Sequence, residues 1–280
     1  MAKRIFAAVV FVPLLLAAML FLPSIAWTAV ICLISAVASY ELMRATGEGK
    51  LTPPMQAITV LSAAALPLGS WAELGTAYVN LCSFVVMAVC FWCAIRSYDS
   101  GYNARVKFVQ VLVCLFGGVI IPLALCALVE LRCMEYGKFL VLFAVLLAFV
   151  TDAGAYFAGV LFGKHRGVTR VSPNKSVEGY VGGFAAGIAF AMIYALVITE
   201  IARAPASLLS LALCGLFGAA ATEMGDLAFS FVKRQYEVKD FGRILPGHGG
   251  MLDRFDSMLF CAPVVLFIVR FLPVFGGVGP

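Results

Sequence analysis

The sequence predicts an all-α, polytopic integral membrane protein. Of its 280 residues, 63% are apolar and only 12% carry a charge. That charged share is about half the share in an ordinary soluble domain, so a soluble fold of this length could not bury so much apolar surface. The composition also excludes a disordered chain, which needs low hydrophobicity and high net charge.

Nine apolar stretches approach the length of about 20 residues that a helix needs to cross the hydrocarbon core. They cover residues 5–22, 24–43, 55–72, 76–95, 108–131, 139–162, 180–201, 207–232 and 257–273. A membrane barrel is excluded because these stretches are too long and do not alternate between apolar and polar residues. The first stretch follows Lys3 and Arg4 but is longer than the core of a signal peptide, so we interpret it as an uncleaved span.

The positive charges predict the orientation of these spans. With a cytoplasmic N-terminus, 16 of the 20 Lys and Arg residues lie on the cytoplasmic side. The other four are Arg132, Lys138, Arg203 and Arg270. Because Lys and Arg are enriched in cytoplasmic loops, this distribution favours nine spans with the N-terminus inside and the C-terminus outside.

We expect two regions along the chain. Residues 1–135 contain about five N-terminal transmembrane helices, and residues 136–280 form a C-terminal transmembrane catalytic region. Two connections in the second region, 163–179 and 233–256, are long and rich in Gly, Pro and charge. Long connections of this kind are usually functional or disordered, and the patterning of these two favours function.

Five of the six aspartates lie in the second region: Asp152, Asp226, Asp240, Asp253 and Asp256. Asp152 and Asp226 lie in or at the ends of apolar spans, where a carboxylate is a candidate functional residue; a structural ion pair is the alternative. Asp253 and Asp256 are three residues apart, so a helix would present both on one face, although helix N-termini also favour acids. With Asp226 they would form a hard-oxygen site suited to Mg²⁺ and phosphates.

A glycine-rich segment precedes this acidic pair. Gly247, His248, Gly249 and Gly250 follow Pro246, and glycines at this density let the backbone approach a ligand closely. A turn of this kind before a helix presents free N–H groups to phosphate. For His248, an acid–base role, a phosphate contact and an inert loop position all remain open.

Basic residues surround the same segment. Lys233, Arg234, Lys239 and Arg243 precede it, and Arg254 follows it. Cations for phosphate, carboxylates for metal and a glycine-rich backbone together indicate a nucleotide or polyphosphate ligand.

Helical spacing connects further residues to these groups. Ser230 and Lys233 follow Asp226 by four and seven residues, which places all three on one stripe of a continuous helix. Tyr156 shares a helix face with Asp152 in the same way.

The connection 163–179 carries its own polar group. It offers two hydroxyls, an amide and a cation at Ser172, Asn174, Lys175 and Ser176. An ordinary turn explains the Pro and the Asn of this stretch but not its four basic residues, and membrane topology accounts for part of that excess.

Residues 230–256 resemble the signature of the phosphatidate cytidylyltransferases, also called CDP-diacylglycerol synthases. The matching pattern is Ser230-x2-Lys233-Arg234-x4-Lys239-Asp240-x5-Pro246-Gly247-His248-Gly249-Gly250-x2-Asp253-Arg254-x-Asp256. Two upstream stretches are similar as well: Asp152-x2-Ala155-Tyr156-x2-Gly159, and Ser172-Pro173-Asn174-Lys175-Ser176-x-Glu178-Gly179. Relatives often have Thr at position 176, and Ser176 keeps the hydroxyl.

The resemblance implies that CTP and phosphatidate react to give CDP-diacylglycerol and pyrophosphate, with Mg²⁺ required. Paired metal ions stabilise both the attacking and the leaving oxygen, so a second cation in the same site is left open. It implies an integral protein of the bacterial plasma (inner) membrane, with its active site facing the cytoplasm. The expected partners are CTP, phosphatidate and the bilayer, with no nucleic acid, and a homodimer is one arrangement left open.

The resemblance also implies roles for individual residues. The expected catalytic residues are Asp226, Lys233, Arg234, Lys239, Asp240, His248, Asp253, Arg254 and Asp256. The expected substrate-binding residues are Tyr156, Ser172, Asn174, Lys175, Ser176, Ser230, Gly247, Gly249 and Gly250. The expected metal ligands are Asp226, Asp253 and Asp256, with Asp152 as a further candidate.

Two other functions are compatible with parts of this pattern. A CTP-dependent lipid kinase would share the metal and the nucleotide but would release CDP instead of pyrophosphate. An ion-coupled transporter would use Asp152 and Asp226 as cation ligands, but such proteins usually have inverted repeats with sites near the midplane. No repeat is visible in the sequence, and its charges gather at one membrane face.

Overall fold

The computed structural model describes residues 13–100, 106–202, 205–244 and 249–275. Within these ranges the elements are helices, and the isolated β-bridges include Arg166 with Ser176 and Ala206 with Phe275. The predicted all-α class is therefore confirmed for the described part of the chain.

In the described ranges, nine long or moderately long helices and one short helix follow each other. They are α1 (described over residues 13–21), α2 (Ser24–Thr46), α3 (Pro53–Trp71), α4 (Gly75–Asp99), α5 (Phe108–Cys133), α6 (Gly137–Phe162), α7 (Val177–Ala202), α8 (Leu208–Gln235), α9 (Leu252–Phe255) and α10 (Met258–Phe271). Each of the nine predicted apolar stretches thus contains a helix in its described part.

Six of these helices, α2 and α4 to α8, are long and apolar enough to cross a membrane. This supports an integral membrane protein. The predicted stretch 257–273 contains a helix of 14 residues, α10, and the separate short helix α9 precedes it at residues 252–255. The stretch 5–22 lies partly outside the described residues. Nine spans with a cytoplasmic N-terminus therefore stay a prediction.

The chain divides into two compact units. Unit 1 comprises Met1–Glu130 and Tyr236–Arg254, and unit 2 comprises Leu131–Gln235 and Phe255–Pro280. In unit 1 the indole N–H of the fully buried Trp27 in α2 donates a hydrogen bond to the Leu128 carbonyl of α5, at 3.1 Å. Without this acceptor the indole N–H would be unsatisfied in an apolar interior.

Helix α5 contains a π-helical turn at Phe116–Ile120. The turn lies at Gly117 and Gly118, whose backbones pack closely on Ser39 of α2 and Thr59 of α3. The Ser62 hydroxyl of α3 donates a hydrogen bond of 2.8 Å to the Gly118 carbonyl. Side-chain oxygens of this kind satisfy backbone groups that a π turn leaves without a regular helical partner.

In unit 2, small residues allow α6 and α7 to pack closely. A Cβ atom on Gly182 would lie 2.1 Å from the Cβ of Ala158, and one on Gly154 would lie 2.3 Å from the Cβ of Ala186. In lipid, where apolar burial between helices gains little, such close backbone packing is a main source of helix association. Gly187 and Gly215 bring α7 and α8 together in the same way. The three helices fix the positions of the charged residues described next.

Candidate active site

Lys175 of unit 2 is paired with two carboxylates of α8. Its Nζ atom lies 2.7 Å from Glu223 Oε2 and 2.7 Å from Asp226 Oδ2. Glu223 and Asp226 are three residues apart, so the helix presents both on one face. The Lys175 ammonium also lies 5.1 Å from the centre of the Tyr180 ring, a cation–π contact.

This ion-pair cluster is largely shielded from solvent. The exposed fraction of the side chain is 21% for Lys175, 5% for Glu223 and 31% for Asp226. Burial tends to lower the pKa of Lys175, but attraction and hydrogen bonding from Asp226 and Glu223 outweigh it and hold that pKa above its ordinary value. Lys175 therefore keeps its positive charge over the whole physiological pH range.

A second ion pair lies further along α8. Lys233 Nζ is 3.7 Å from Asp256 Oδ2, with exposed side-chain fractions of 15% and 11%. Asp256 Oδ1 accepts a hydrogen bond of 2.8 Å from the N–H of Ser257. Helix α8 runs without interruption through Asp226 and Lys233, as the predicted stripe requires.

Asp152 of α6 joins the same group of charges. Its carboxylate interacts with the side chain of Ser257 and lies within electrostatic range of Asp226, Asp256 and Glu223. Unit 2 thus gathers four carboxylates and two lysines, and most of these residues come from the stretches that the sequence singled out.

Backbone hydrogen bonds within the connection between α6 and α7 fix the position of Lys175. The N–H of Lys175 donates to the Ser172 carbonyl at 3.1 Å, and the N–H of Gly167 donates to the Pro173 carbonyl at 3.2 Å. Arg234 of α8 donates from Nε to the Val171 carbonyl at 3.3 Å. The predicted substrate-binding loop is therefore a compact turn attached to α8.

The other predicted substrate-binding residues of unit 2 occupy different settings. Ser176 is buried, and its hydroxyl caps α7 by accepting the Gly179 N–H at 3.1 Å. Asn174 is exposed and Ser230 half-buried. Tyr156 is exposed and packs on the ring of Phe157, with ring centres 5.5 Å apart. The substrate-binding roles of these four residues stay predictions.

In unit 1, Asp253 organises the end of the glycine-rich segment. Its Oδ2 accepts hydrogen bonds from the N–H groups of Phe241 and Gly250, at 2.8 and 3.0 Å. Gly249 has a φ angle of +83°, and a Cβ there would lie 3.1 Å from Asp253 Oδ2 and 3.3 Å from Asp240 Oδ1. Asp253 is thus buried and hydrogen-bonded to backbone, whereas Lys239, Asp240 and Arg254 are exposed. The predicted residues Gly247 and His248 lie outside the described residues.

The described residues contain no group of three or more His, Cys, Asp or Glu side chains arranged to hold a metal ion. The chemistry of the unit 2 donors nevertheless suits a hard divalent cation, since they are all carboxylates. Glu223 Oε1 is buried, and among the described residues no group donates a hydrogen bond to it. In this structure the charge next to Glu223 and Asp226 is the ammonium of Lys175, so the assignment of metal ligands stays a prediction.

Sequence reasoning missed two buried glutamates. Glu223 contributes to the ion pairs of unit 2, and Glu41 of α2 accepts the N–H of Leu252 at 2.9 Å in unit 1. Both lie inside apolar spans, which is the criterion that singled out Asp226. Applied to glutamates as well as aspartates, the same rule would have found them.

Comparison with known proteins places the sequence in a family. The model of the cytidylyltransferase family matches residues 2–272. A Bacillus subtilis protein named phosphatidate cytidylyltransferase is 42% identical over 142 residues, an alignment that spans 50% of this chain and about half (51%) of that relative.

Two staphylococcal proteins with the same name align over longer stretches. The Staphylococcus saprophyticus protein is 35% identical over 70% of each chain. The Staphylococcus epidermidis protein is 30% identical over 93% of this chain and 94% of its own length. These matches confirm the resemblance that the signature predicted, and the chain belongs to the cytidylyltransferase family.

Proposed function

We propose that this protein is the membrane enzyme that converts CTP and phosphatidate into CDP-diacylglycerol and pyrophosphate. The observation that carries the proposal is the set of ion pairs in unit 2, Lys175 with Asp226 and Lys233 with Asp256. These pairs join Lys175 of the stretch 172–179 to α8, and Lys233 to Asp256 within the stretch 230–256. They supply both the cations and the carboxylates that a reaction between two phosphates needs. The names of the relatives support the same reaction.

The chemistry is an in-line displacement at phosphorus. A phosphate oxygen of phosphatidate attacks the α-phosphorus of CTP, and pyrophosphate leaves. The attacking oxygen is already anionic, so no strong general base is required. The main obstacle is repulsion between the two phosphates, and the enzyme must supply positive charge and fix the geometry.

The lysines of unit 2 supply that charge. Carboxylates hold Lys175 and Lys233 in the structure. We expect both ammonium groups to transfer part of their contacts from carboxylate to phosphate oxygens when substrate binds. Arg234, Lys239 and Arg254 are exposed and available to bind the triphosphate or the phosphatidate headgroup.

We further propose that the enzyme requires Mg²⁺, as the family generally uses a divalent metal. Asp226 and Asp256 of unit 2 are the ligands we favour, with Asp152 of the same unit as a further candidate and a second cation in that unit; the role expected for Asp253 of unit 1 stays a prediction. When bound, Mg²⁺ neutralises phosphate oxygens and prefers carboxylates together with substrate phosphates. Asp226 Oδ2 is engaged by Lys175, so a cation held there must share or replace that contact.

The active site faces the cytoplasm in this proposal. The connection that carries Lys175 and the segment that follows α8 are separated by α7 and α8, two helices long and apolar enough to span. Two crossings return the chain to the same side of the membrane. That side carries most of the Lys and Arg residues, as cytoplasmic loops do, and it is where CTP is found. A bacterial plasma membrane is the matching location.

The test is a product assay with protein purified in detergent. CTP, Mg²⁺ and phosphatidate are supplied together and then omitted one at a time, and pyrophosphate and CDP-diacylglycerol are measured. The proposal expects both products in equal amounts, with all three components required. Release of CDP would indicate a lipid kinase. No turnover by folded protein, together with cation-driven uptake in proteoliposomes, would indicate a transporter.

A further inference from the structure

The carboxylate of Glu41 contacts the backbone of the signature segment of unit 1, by which we mean the described residues 236–244 and 249–254. Glu41 lies in α2 and is 2% exposed, and its Oε2 accepts the N–H of Leu252 at 2.9 Å across 211 residues of sequence. Its other oxygen, Oε1, is buried and has no hydrogen-bond partner among the described residues. A buried carboxylate in a membrane helix is costly, so its presence calls for a role.

Two glycines of the signature segment pack directly on this carboxylate. A Cβ atom on Gly242 would lie 1.9 Å from Glu41 Oε1, and one on Gly250 would lie 2.4 Å from Oε2. Both distances are far below van der Waals contact. The backbone can approach the carboxylate this closely only because neither residue has a side chain.

Two different carboxylates hold the described parts of this segment. Asp253 accepts the N–H groups of Phe241 and Gly250, and so joins the part that ends at residue 244 to the part that begins at residue 249. Glu41 comes from α2 and fixes the segment to a spanning helix. Removing Glu41 would leave the Asp253 contacts in place but would release the segment from α2.

We propose that Glu41 is a positioning residue for cytidylyl transfer, which holds the signature segment at Gly242, Gly250 and Leu252. This inference rests on the proposed function of the protein. Glu41 does not touch the reacting groups. It fixes the backbone that carries Lys239, Asp253 and Arg254.

The first measurement is steady-state kinetics of Glu41→Ala and Glu41→Gln. Glu41→Ala lowers kcat by about 10- to 100-fold with little change in either KM, because misplaced groups lose contacts made in the transition state. Glu41→Gln recovers much of the rate, since its carbonyl oxygen can still accept the Leu252 N–H. The matched control is Glu130→Ala, which removes a glutamate of α5 that accepts the Ser70 hydroxyl in the same unit.

The second measurement is a double-mutant cycle with Gly242→Ala. Alone, this change forces a methyl group against the Glu41 carboxylate and lowers kcat. In the Glu41→Ala background the space is vacant, so adding Gly242→Ala costs little further. If each substitution lowered kcat only by impairing folding in general, the effects of the two substitutions would add. This cycle keeps the proposal testable if Glu41→Ala proves poorly folded.

The third measurement needs no enzyme activity. Trypsin cleaves after Lys239, Arg243 and Arg254, and we expect Glu41→Ala to accelerate cleavage at these sites while Tm stays near that of the unmutated protein. If the unmutated protein has no transferase activity, the proposed function fails, but the protease result still reports whether Glu41 holds the segment. Unchanged kcat and unchanged cleavage in Glu41→Ala would overturn the inference, as would strictly additive effects in the cycle.

Discussion

At the scale of single residues, Lys175 pairs with two carboxylates at once. It faces Glu223 and Asp226 at 2.7 Å each, and all three side chains are mostly buried. Breaking a buried ion pair by removing one partner leaves an uncompensated charge, which commonly costs about 3–5 kcal/mol. The pairs are therefore sensitive to single substitutions.

We predict that Lys175→Met lowers the free energy of unfolding by about 3 kcal/mol, because two carboxylates lose their counter-charge. Adding Glu223→Gln should restore part of that loss, since one of the unpaired charges is then removed. Thermal unfolding in detergent measures both effects. A double variant as unstable as Lys175→Met would contradict this account of the pairs.

We predict that Asp226→Asn and Asp256→Asn each lower kcat by at least about 100-fold in protein that is still folded at the assay temperature, because electrostatic groups aimed at the transition state are worth about that much. The assay is pyrophosphate release with purified protein. Asp99→Asn is the matched control, since Asp99 is exposed at the end of α4. Full activity of either variant would remove that residue from the catalytic centre.

Much of the candidate site was predictable at this scale, and what was missed has a physical reason. The spacing of Asp226 and Lys233 predicted one helical stripe, and α8 indeed continues through both residues. Glu223 and Glu41 were overlooked although both are charged residues in apolar spans. The hydrogen bond between Glu41 and Leu252 could not be predicted, because it joins residues 211 positions apart.

At the scale of elements, the close contact of α6 and α7 determines where the Lys175 connection lies. Gly182 faces Ala158, and Gly154 faces Ala186. The sequence predicted both helices but not their contact, since lipid-facing and helix-facing small residues look alike in a sequence.

We predict that Gly182→Val lowers the free energy of unfolding by about 1–3 kcal/mol, because added side-chain atoms would have to separate the two backbones. Ala185→Val is the matched control, since Ala185 lies on the exposed face of the same helix. Denaturation in detergent measures the difference. Equal stability of the two variants would show that α6 and α7 can separate without cost.

Ser176 lies at the start of α7, next to Lys175 of the candidate site. It was predicted to bind substrate, and in the structure its hydroxyl caps α7 through the Gly179 N–H. We predict that Ser176→Ala lowers the free energy of unfolding by about 1 kcal/mol, the usual value of an N-cap. Kinetic constants decide the other role: an increased KM for CTP at unchanged Tm would show that the hydroxyl binds substrate instead.

At the scale of the whole molecule, the helices and their order follow from composition, but the orientation in the membrane is a separate question. Cys133 at the end of α5 is the exposed cysteine among the nine, and it belongs to a connection predicted to lie outside. Val168 is 48% exposed in the connection that carries Lys175, predicted to lie inside. These two positions report on opposite sides.

We predict that a membrane-impermeant maleimide labels Cys133 in right-side-out vesicles. In a Cys133→Ser background, Val168→Cys should react only in inside-out vesicles. Labelling of both positions from one side would contradict nine spans with a cytoplasmic N-terminus. The result also decides which compartment supplies the nucleotide.

The π turn of α5 has a consequence for how the length of this chain can change. Removing one residue from a regular helix rotates everything beyond it by about 100°, which a packed membrane helix does not tolerate. A π turn contains one residue more than an α turn, so a deletion within Phe116–Ile120 could be absorbed locally. Both flanks, including the Leu128 carbonyl that Trp27 binds, would keep their register, and only the bond from Ser62 to Gly118 would be lost. This turn is therefore a place inside a spanning helix where the loss of a single residue leaves the register of both flanks unchanged.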